Sequence, residues 1–271
     1  MTDLLINRVY KALGLKKKIV GLKFLTNSFE YKQSIALELK HSTICSAVQE
    51  ARNGNYVKCQ SSSLLCKTGK YLTGIQNLEE FKCQNKNYTN GKYKSTEISR
   101  KIKENSQPIN HTIFGIEFYP LTDKNNTDMC IIICTSKDTM RIMQGYAKYY
   151  GIPDNLICIS TYGVCSELIS KPFMNNDINI SLLSRCSRKF GHYSDDEMGI
   201  SFPINMASNI FNGILETVNL TENNGPKKVI LKRLNKPNDL GFEIIMNYDY
   251  AIKASEYLKY IDENLEKGGL E

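Results

Sequence analysis

The chain has 271 residues, of which 41% are hydrophobic and 23% are charged, and its formal net charge is +7. This length suffices for one large domain or two small lobes, and the composition is that of an ordinary soluble globular protein. No run approaches the roughly 18 apolar residues of a membrane-spanning helix, the N-terminus lacks a secretory pattern, and no stretch interleaves basic and aromatic residues for nucleic acid. We therefore expect a cytoplasmic protein that contacts neither membrane nor nucleic acid.

The first part of the chain is predicted to contain few regular elements. Apolar spacing predicts a short helix over 3–14, a strand over 19–25 and a helix over 43–52. The polar stretch from about 81 to 110 predicts a surface excursion with one helix around 95–104.

The centre of the chain has the clearest pattern. A strand is predicted over 113–121, and the continuous apolar run 129–134 is typical of a strand buried on both faces. A helical pattern follows, then a second buried strand over 156–160 and a helix that begins over 164–169. This order predicts a parallel βαβ unit with a right-handed crossover.

The last part of the chain is predicted to add both kinds of element. A strand over 198–202 precedes a helix over 203–218. Two further strands, over 229–234 and 243–247, are predicted to form a hairpin before a closing helix over 250–265.

Together these elements predict an α/β fold, or a mixed α+β fold, with a central βαβ unit, a mixed sheet and flanking helices. We expect one compact domain over 1–271, with two pseudo-repeated lobes over 1–110 and 111–271 as the alternative.

Two pairs of cysteines share one spacing. Cys45 and Cys66 lie 21 positions apart, as do Cys165 and Cys186. The first member of each pair is predicted in the first turn of a helix after Ser and Thr residues, where the helix end lowers a thiol pKa. The second member lies in a glycine-bearing basic loop, which can bring a thiolate to a cluster or anion. This pattern predicts a four-thiol site, although a repeated separation among nine cysteines can also be a coincidence.

The other five cysteines are expected to have no role in that site. Cys130, Cys134 and Cys158 lie in apolar runs and are predicted to be buried, since free cysteine packs as a small hydrophobic residue. Cys59 and Cys83 lie in polar stretches without a partner motif.

Four thiolates suit an iron–sulfur cluster or zinc. Structural zinc sites usually contain Cys-x-x-Cys pairs, which this chain lacks, and its three histidines form no spaced pair. The expected cofactor is therefore an iron–sulfur cluster, with [4Fe–4S] as one option. Four protein ligands favour electron transfer, whereas three leave an iron open as a Lewis acid. A site without metal, in which one thiolate is a nucleophile, is the alternative.

Two charged residues near Cys186 are candidates to face a substrate. Arg188 could clamp a carboxylate or phosphate, and Glu197 could act as a general acid or base. The simpler interpretation is a surface arginine and a solvated acidic turn before a strand.

Short motifs spread over most of the chain form a combination typical of one family. They are Val20-Gly21-Leu22-Lys23-Phe24; Cys45 followed by Ala51-Arg52 and Gly54; Cys66 followed by Gly69, Leu72 and Gly74; Cys165, Cys186 and Arg188; and Asp196-Glu197 before Ile200-Ser201 and Pro203. In these motifs the chain resembles domain of unknown function family 169, which is found in many anaerobic bacteria and archaea. The resemblance implies a shared fold and singles out the four paired cysteines, but it implies no established reaction. The family commonly has Gly after the position of Cys186, where this chain has Ser187.

The sequence thus favours an iron–sulfur protein that acts on a small molecule by redox or Lewis-acid chemistry. Its ligands would be Cys45, Cys66, Cys165 and Cys186, and its partner a small-molecule substrate or an electron donor. Two hypotheses remain beside it: a non-catalytic carrier of a small anion, metal ion or tetrapyrrole, and an enzyme that uses Cys45 or Cys165 as a nucleophile.

Overall fold

The structure of the protein is a computed structural model that describes residues 1–76, 93–158, 160–217 and 263. The strands are β1 (Val20–Leu25), β2 (Leu37–Glu38), β3 (Val57–Gln60), β4 (Gly115–Pro120), β5 (Met129–Thr135), β6 (Asn179–Ser181) and β7 (Glu197–Pro203). The helices are α1 (Asp3–Leu13), α2 (Ser28–Gln33), α3 (Ile44–Arg52), α4 (Lys67–Leu72), α5 (Thr96–Glu104), α6 (Ser136–Tyr150), a π-helix (Gly163–Ser170), α7 (Lys171–Asn175), α8 (Arg185–Gly191) and α9 (Ile204–Glu216).

The strands of the described residues form one mixed sheet in the order β2–β3–β4–β1–β5–β7–β6. Neighbouring strands are antiparallel, except that β2 and β3 are parallel. The predicted mixed α/β fold class is therefore confirmed. The elements β2, β3, α2 and α4, by contrast, have patterns too short for the sequence to have indicated them.

Strand β5 lies inside the sheet, between β1 and β7. Its residues Met129 through Cys134 are all buried, as the continuous apolar run predicts. Cys130 and Cys134 are part of this core, and so is Cys59 of β3, which the sequence had assigned to a polar stretch.

The strand predicted over 156–160 is absent from its described residues, 156–158 and 160. The side chain of Asn179 explains why, because it occupies both backbone groups of Ile157: its Oδ1 accepts from the amide at 2.9 Å and its Nδ2 donates to the carbonyl at 3.1 Å. Ile157 thus has no free amide to donate to a neighbouring strand. The crossover from β5 instead ends in β6, which runs in the same direction but is separated from β5 by β7.

Helix α3 and the π-helix pack into the same hydrophobic core beside the sheet. Ile44 and Val48 of α3 lie in one buried cluster with Val164 and Leu168 of the π-helix. Helix α3 contacts β1, β3 and β4, whereas the π-helix contacts β6 and β7. The two helices also contact each other.

The chain divides into two compact units. The first comprises Met1–Lys16, Lys137–Ile152 and Met206–Glu271, and the second comprises Lys17–Ser136 and Pro153–Asn205. The whole sheet and all four paired cysteines belong to the second unit.

The predicted single domain over 1–271, and its alternative of lobes 1–110 and 111–271, stay predictions. The two compact units divide the chain elsewhere, and β4 pairs with β1 and β3 across position 110.

In the first unit, α6 and α9 approach each other closely at two glycines. A Cβ atom on Gly213 would lie 2.2 Å from the carbonyl oxygen of Gly145, so no larger residue fits at this contact. The buried guanidinium of Arg141 donates to the carbonyl oxygens of Ile214, at 2.9 Å, and Thr217, at 2.6 Å. These bonds satisfy carbonyls that the end of α9 leaves without helical partners.

Several helix predictions match the structure within a few residues. Those over 3–14, 43–52 and 95–104 correspond to α1, α3 and α5, and the one over 203–218 corresponds to α9. The predicted hairpin and closing helix after 228 lie outside the described residues, apart from 263. Among the helices that the structure describes, none is long and apolar enough to cross a bilayer.

Candidate functional site

Each of the four paired cysteines lies at the start of a helix. Cys45 is the second residue of α3, Cys165 the third of the π-helix and Cys186 the second of α8, while Cys66 is the N-cap of α4. The sequence predicted helix starts for Cys45 and Cys165, but the loops predicted at Cys66 and Cys186 are short helices. A helix start presents unpaired N–H groups and partial positive charge, both of which favour a thiolate.

Cys45 lies in a helix start with a complete capping box. The Thr43 hydroxyl accepts from the Ser46 amide at 3.1 Å, and the Ser46 hydroxyl accepts from the Thr43 amide at 3.0 Å. This reciprocal pair is the reason that the chain turns into a helix just before Cys45.

Cys165 lies in a different kind of helix from the one that the sequence predicts. The segment Gly163–Ser170 is a π-helix whose N-cap is Tyr162, without a side-chain capping bond. The expected capping by Ser160 and Thr161 is wrong: the Ser160 hydroxyl contacts the Cys158 sulfur at 3.9 Å, and the Thr161 hydroxyl contacts the Tyr93 hydroxyl. Single π-helical turns occur frequently at functional sites.

The π-helix begins directly against the first turn of α8. A Cβ atom on Gly163 would lie 2.6 Å from the Ser187 hydroxyl oxygen and 2.7 Å from the Ser184 backbone nitrogen. Only glycine permits this approach, which brings the helices of Cys165 and Cys186 together.

Cys66 and Cys186 differ in how their thiols are held. The Cys66 sulfur caps α4 by accepting a hydrogen bond from the Gly69 amide at 3.3 Å. In α8, the capping bond comes from Ser184, whose hydroxyl accepts from the Ser187 amide at 3.1 Å. The Cys186 side chain itself is exposed.

The four thiols lie in one neighbourhood. Cys45 is hydrogen-bonded to Cys165, and its sulfur lies 3.7 Å from the Ser187 hydroxyl. Burial raises the pKa of Cys66, and Cys45 and Cys186 lie close enough for their thiolate charges to add to that rise. The helices agree with this arrangement, since α3 contacts α8 and the π-helix, which in turn contacts α4 and α8.

The thiols of Cys45 and Cys165 titrate as a hydrogen-bonded pair. The hydrogen bond from Cys165 lowers the pKa of Cys45 against the opposing effect of burial, and the Ser187 hydroxyl lowers it further. The same bond, together with burial, raises the pKa of Cys165. Burial also raises the pKa of Cys66, and the Gly69 amide opposes that rise. Cys45 is therefore the member of the pair that becomes a thiolate first.

Four thiols are a donor set whose chemistry suits an iron–sulfur cluster. Within the part of the chain that the structure describes, no three Cys, His, Asp or Glu side chains are arranged to hold one metal ion. Zinc needs all of its sulfurs at about 2.3 Å from one centre. An iron–sulfur cluster binds each thiolate through a different iron and so accepts thiols that are further apart. The eight described cysteines are all free thiols.

Glu197 is engaged in a partly buried ion pair. Its Oε1 atom pairs with the guanidinium of Arg52, and its Oε2 atom accepts from the Ser194 amide at 2.9 Å. Burial raises the pKa of this carboxyl, but the Arg52 and Ser194 hydrogen bonds outweigh it, so that the net pKa is lowered. Glu197 is thus held as a carboxylate.

Arg188 contacts backbone rather than open space. Its guanidinium donates to the carbonyl oxygens of Ser194, Leu182, at 2.9 Å, and Glu197, at 3.0 Å. These contacts tie together the segments on both sides of α8. The substrate-facing roles suggested for Arg188 and Glu197 stay predictions, and in this structure both side chains support the loop beside the thiols.

Three residues beside the thiols had no role in the sequence interpretation. Arg52 also donates to the Ile133 carbonyl at 3.1 Å, Ser187 contacts Cys45, and the Tyr193 hydroxyl donates to the Cys45 carbonyl at 2.9 Å. Arg52 lies eight positions after Ile44, on the buried stripe of α3, and a charged residue on such a stripe is a signal that could have found it. Ser187 stood out only as the position where the family commonly has Gly, and nothing comparable marks Tyr193.

Comparison with known proteins shows which family the chain belongs to. No curated protein and no solved structure matches the chain. The model of the family DUF169, described as uncharacterised ArCR, matches residues 8–213, which include all four paired cysteines. Because this match covers well over half of the chain, the protein belongs to domain of unknown function family 169.

Proposed function

We propose that this protein is a cytoplasmic iron–sulfur protein whose cluster ligands are Cys45, Cys66, Cys165 and Cys186. It would act on a small molecule by redox or Lewis-acid chemistry. The observation that supports this proposal most is the meeting of four thiols at four helix starts. Scattered thiols of this kind are the usual ligands of such clusters.

The negative charge of the four thiolates also supports a bound metal cluster. Four neighbouring thiolates repel one another and are costly to bury. Burial raises the pKa of Cys66, and the hydrogen bond with Cys45 together with burial raises the pKa of Cys165. Bound iron would offset the negative charge, and binding would release the thiol protons. The partial positive charge of the helix starts would stabilise what negative charge remains.

The surrounding groups would orient the ligands and tune the cluster. The Gly69 amide donates to the Cys66 sulfur, and the Ser187 hydroxyl lies in contact with the Cys45 sulfur. Hydrogen bonds to ligand sulfurs shift the reduction potential of a cluster. The Tyr193 hydroxyl holds the backbone carbonyl of Cys45, and the Arg52–Glu197 pair links α3, which carries Cys45, to β7.

Anaerobic purification tests the proposal directly. Protein prepared without oxygen is expected to be brown and to contain iron and acid-labile sulfide. Cys45→Ala and Cys165→Ala should lose both, whereas Cys130→Ala, which changes a buried cysteine of β5, should keep both. A colourless, iron-free wild-type preparation would contradict the proposal. An organic ligand retained in native mass spectrometry, without a cluster, would instead favour a carrier.

The geometry of Cys45 also supports a second candidate, an enzyme with a cysteine nucleophile. Cys45 lies at a capped helix start and is hydrogen-bonded to Cys165 and Ser187, so its thiolate is favoured over the other buried thiols. Metal-free protein should then react with iodoacetamide at Cys45 faster than at Cys165, as peptide mass spectrometry would show. Equal rates at both residues would remove this candidate.

A further inference from the structure

The four thiols are not equivalent in their exposure. Cys45 is 7% exposed and Cys165 is 8% exposed, and Cys66 is half-buried. Cys186 alone among the four is exposed. Whatever the other three thiols hold would therefore meet solvent at the position of Cys186.

The four thiols also differ in their hydrogen bonds. Cys45 and Cys165 share a hydrogen bond, and Cys66 accepts one from Gly69. Within the described residues, the Cys186 thiol makes no hydrogen bond to the protein. Nothing but its own rotamer preference therefore holds the sulfur in place, and its release from a cluster would leave no protein group unsatisfied.

Helix α8, which carries Cys186, exposes basic and apolar side chains. Arg185 and Lys189 of α8 are exposed, and α8 contains no acidic residue. Leu182, just before α8, is 55% exposed, and Phe190 of α8 is 45% exposed. Basic groups raise the local concentration of anions, and exposed apolar groups favour a ligand with a carbon skeleton.

From these three differences we infer that Cys186 is the replaceable ligand, and that a small carboxylate substrate takes its place. This inference rests on the proposed function, because it needs a cluster held by the other three cysteines. In such an exchange the Cys186 thiolate would be released unchanged, and a carboxylate oxygen of the substrate would take the ligand position that it held. No electron is transferred, so no oxidant or reductant is required.

Single-cysteine variants test which ligand is replaceable. In anaerobically reconstituted protein, Cys186→Ala should keep most of the wild-type iron and sulfide, whereas Cys165→Ala should lose both. If Cys186→Ala loses its cluster as completely as Cys165→Ala while the wild type keeps one, the inference is wrong and the proposed function stands. A wild type without any cluster contradicts the proposed function itself.

Spectroscopy then tests the ligand class. Citrate, and separately cyanide as a strong iron ligand, should shift the electron paramagnetic resonance signal of the reduced wild-type cluster. The double variant Arg185→Gln/Lys189→Gln should need a higher citrate concentration for the same shift, with its cyanide response unchanged. A citrate response that is unaffected by the double variant, or absent from the wild type, would overturn the assignment of a carboxylate.

Discussion

The hydroxyl group of Tyr193 donates a 2.9 Å hydrogen bond to the backbone carbonyl of Cys45, although the two residues are 148 positions apart. Tyr193 is buried and belongs to the same hydrophobic cluster as Cys45. It follows α8 closely in the chain, so one side chain links the helix start of Cys45 to the segment that carries Cys186.

Tyr193→Phe should therefore weaken the fold modestly. The change removes one buried hydrogen bond and keeps the ring in the core, so the free energy of unfolding in urea should fall by about 1 kcal/mol. Tyr149→Phe is the matched control, because the Tyr149 hydroxyl contacts Glu216 in an exposed position and its loss should change stability by less than about 0.5 kcal/mol. Equal effects of the two changes would contradict the importance of the link to Cys45.

Arg52 and Glu197 form a partly buried ion pair whose disruption should be more costly. Arg52→Met leaves the Glu197 carboxylate without its cation, and we expect the free energy of unfolding to fall by about 3–5 kcal/mol at pH 7. The double variant Arg52→Met/Glu197→Gln should recover part of that loss, because no unpaired charge remains. Additive losses in the double variant would show that the two side chains act independently.

The same pair predicts a pH dependence. The folded-state pKa of Glu197 is lowered, so the pair stabilises the fold fully above the unfolded pKa of about 4.3 and progressively less as pH falls through the folded value. The stability difference between wild type and Glu197→Gln, measured by urea unfolding, should therefore shrink below about pH 4. A difference that stays constant down to pH 3 would contradict this account.

Two glycines beside the thiols should respond differently to the same substitution. In Gly163→Ala the new methyl group meets the Ser184 backbone nitrogen at 2.7 Å, so α8 must move, at a cost of about 1–3 kcal/mol. In Gly69→Ala the nearest atoms are the Cys165 sulfur and an Ile44 carbon at 3.4 Å, which is ordinary contact. The free energy of unfolding in urea and the iron content should both fall in Gly163→Ala and stay near the wild-type values in Gly69→Ala. Equal behaviour would mean that the close approach at Gly163 does not position the thiols.

Lys171 is a fully buried lysine whose ammonium nitrogen has no hydrogen-bond partner among the described residues. Burial lowers its pKa, and the charge of Glu167 opposes that effect. Because an unsatisfied buried polar group is unfavourable, Lys171→Met should be more stable than the wild type by about 1–3 kcal/mol.

The gain from Lys171→Met should depend on pH in a definite direction. The unfolded chain binds a proton at Lys171 more readily than the folded protein does. The contribution of Lys171 to the free energy of unfolding therefore falls as pH decreases below the unfolded pKa of about 10.4. The advantage of the variant in urea unfolding should consequently be larger at pH 7 than at pH 10. A loss of stability in the variant would show that Lys171 has a stabilising role.

The sequence by itself determined the elements that depend on local pattern. The apolar run of β5, the spacing of α3 and the capping residues Thr43 and Ser46 all act within a few positions, so their structures follow from neighbouring residues. The placement of Cys45 in a first turn, and the mixed fold class, could be predicted for the same reason.

The tertiary structure decided what depends on residues far apart in the chain. It replaced the predicted strand over 156–160, because Asn179 binds both backbone groups of Ile157 from 22 positions away. It brought Arg52 and Glu197 together as an ion pair, and it packed the start of α8 against Gly163, where no larger residue fits. The equal spacing of the two cysteine pairs indicated which thiols to compare. The thiols came together only because α3, α4, α8 and the π-helix pack against one another. Such contacts between helices depend on side chains that local periodicity does not specify.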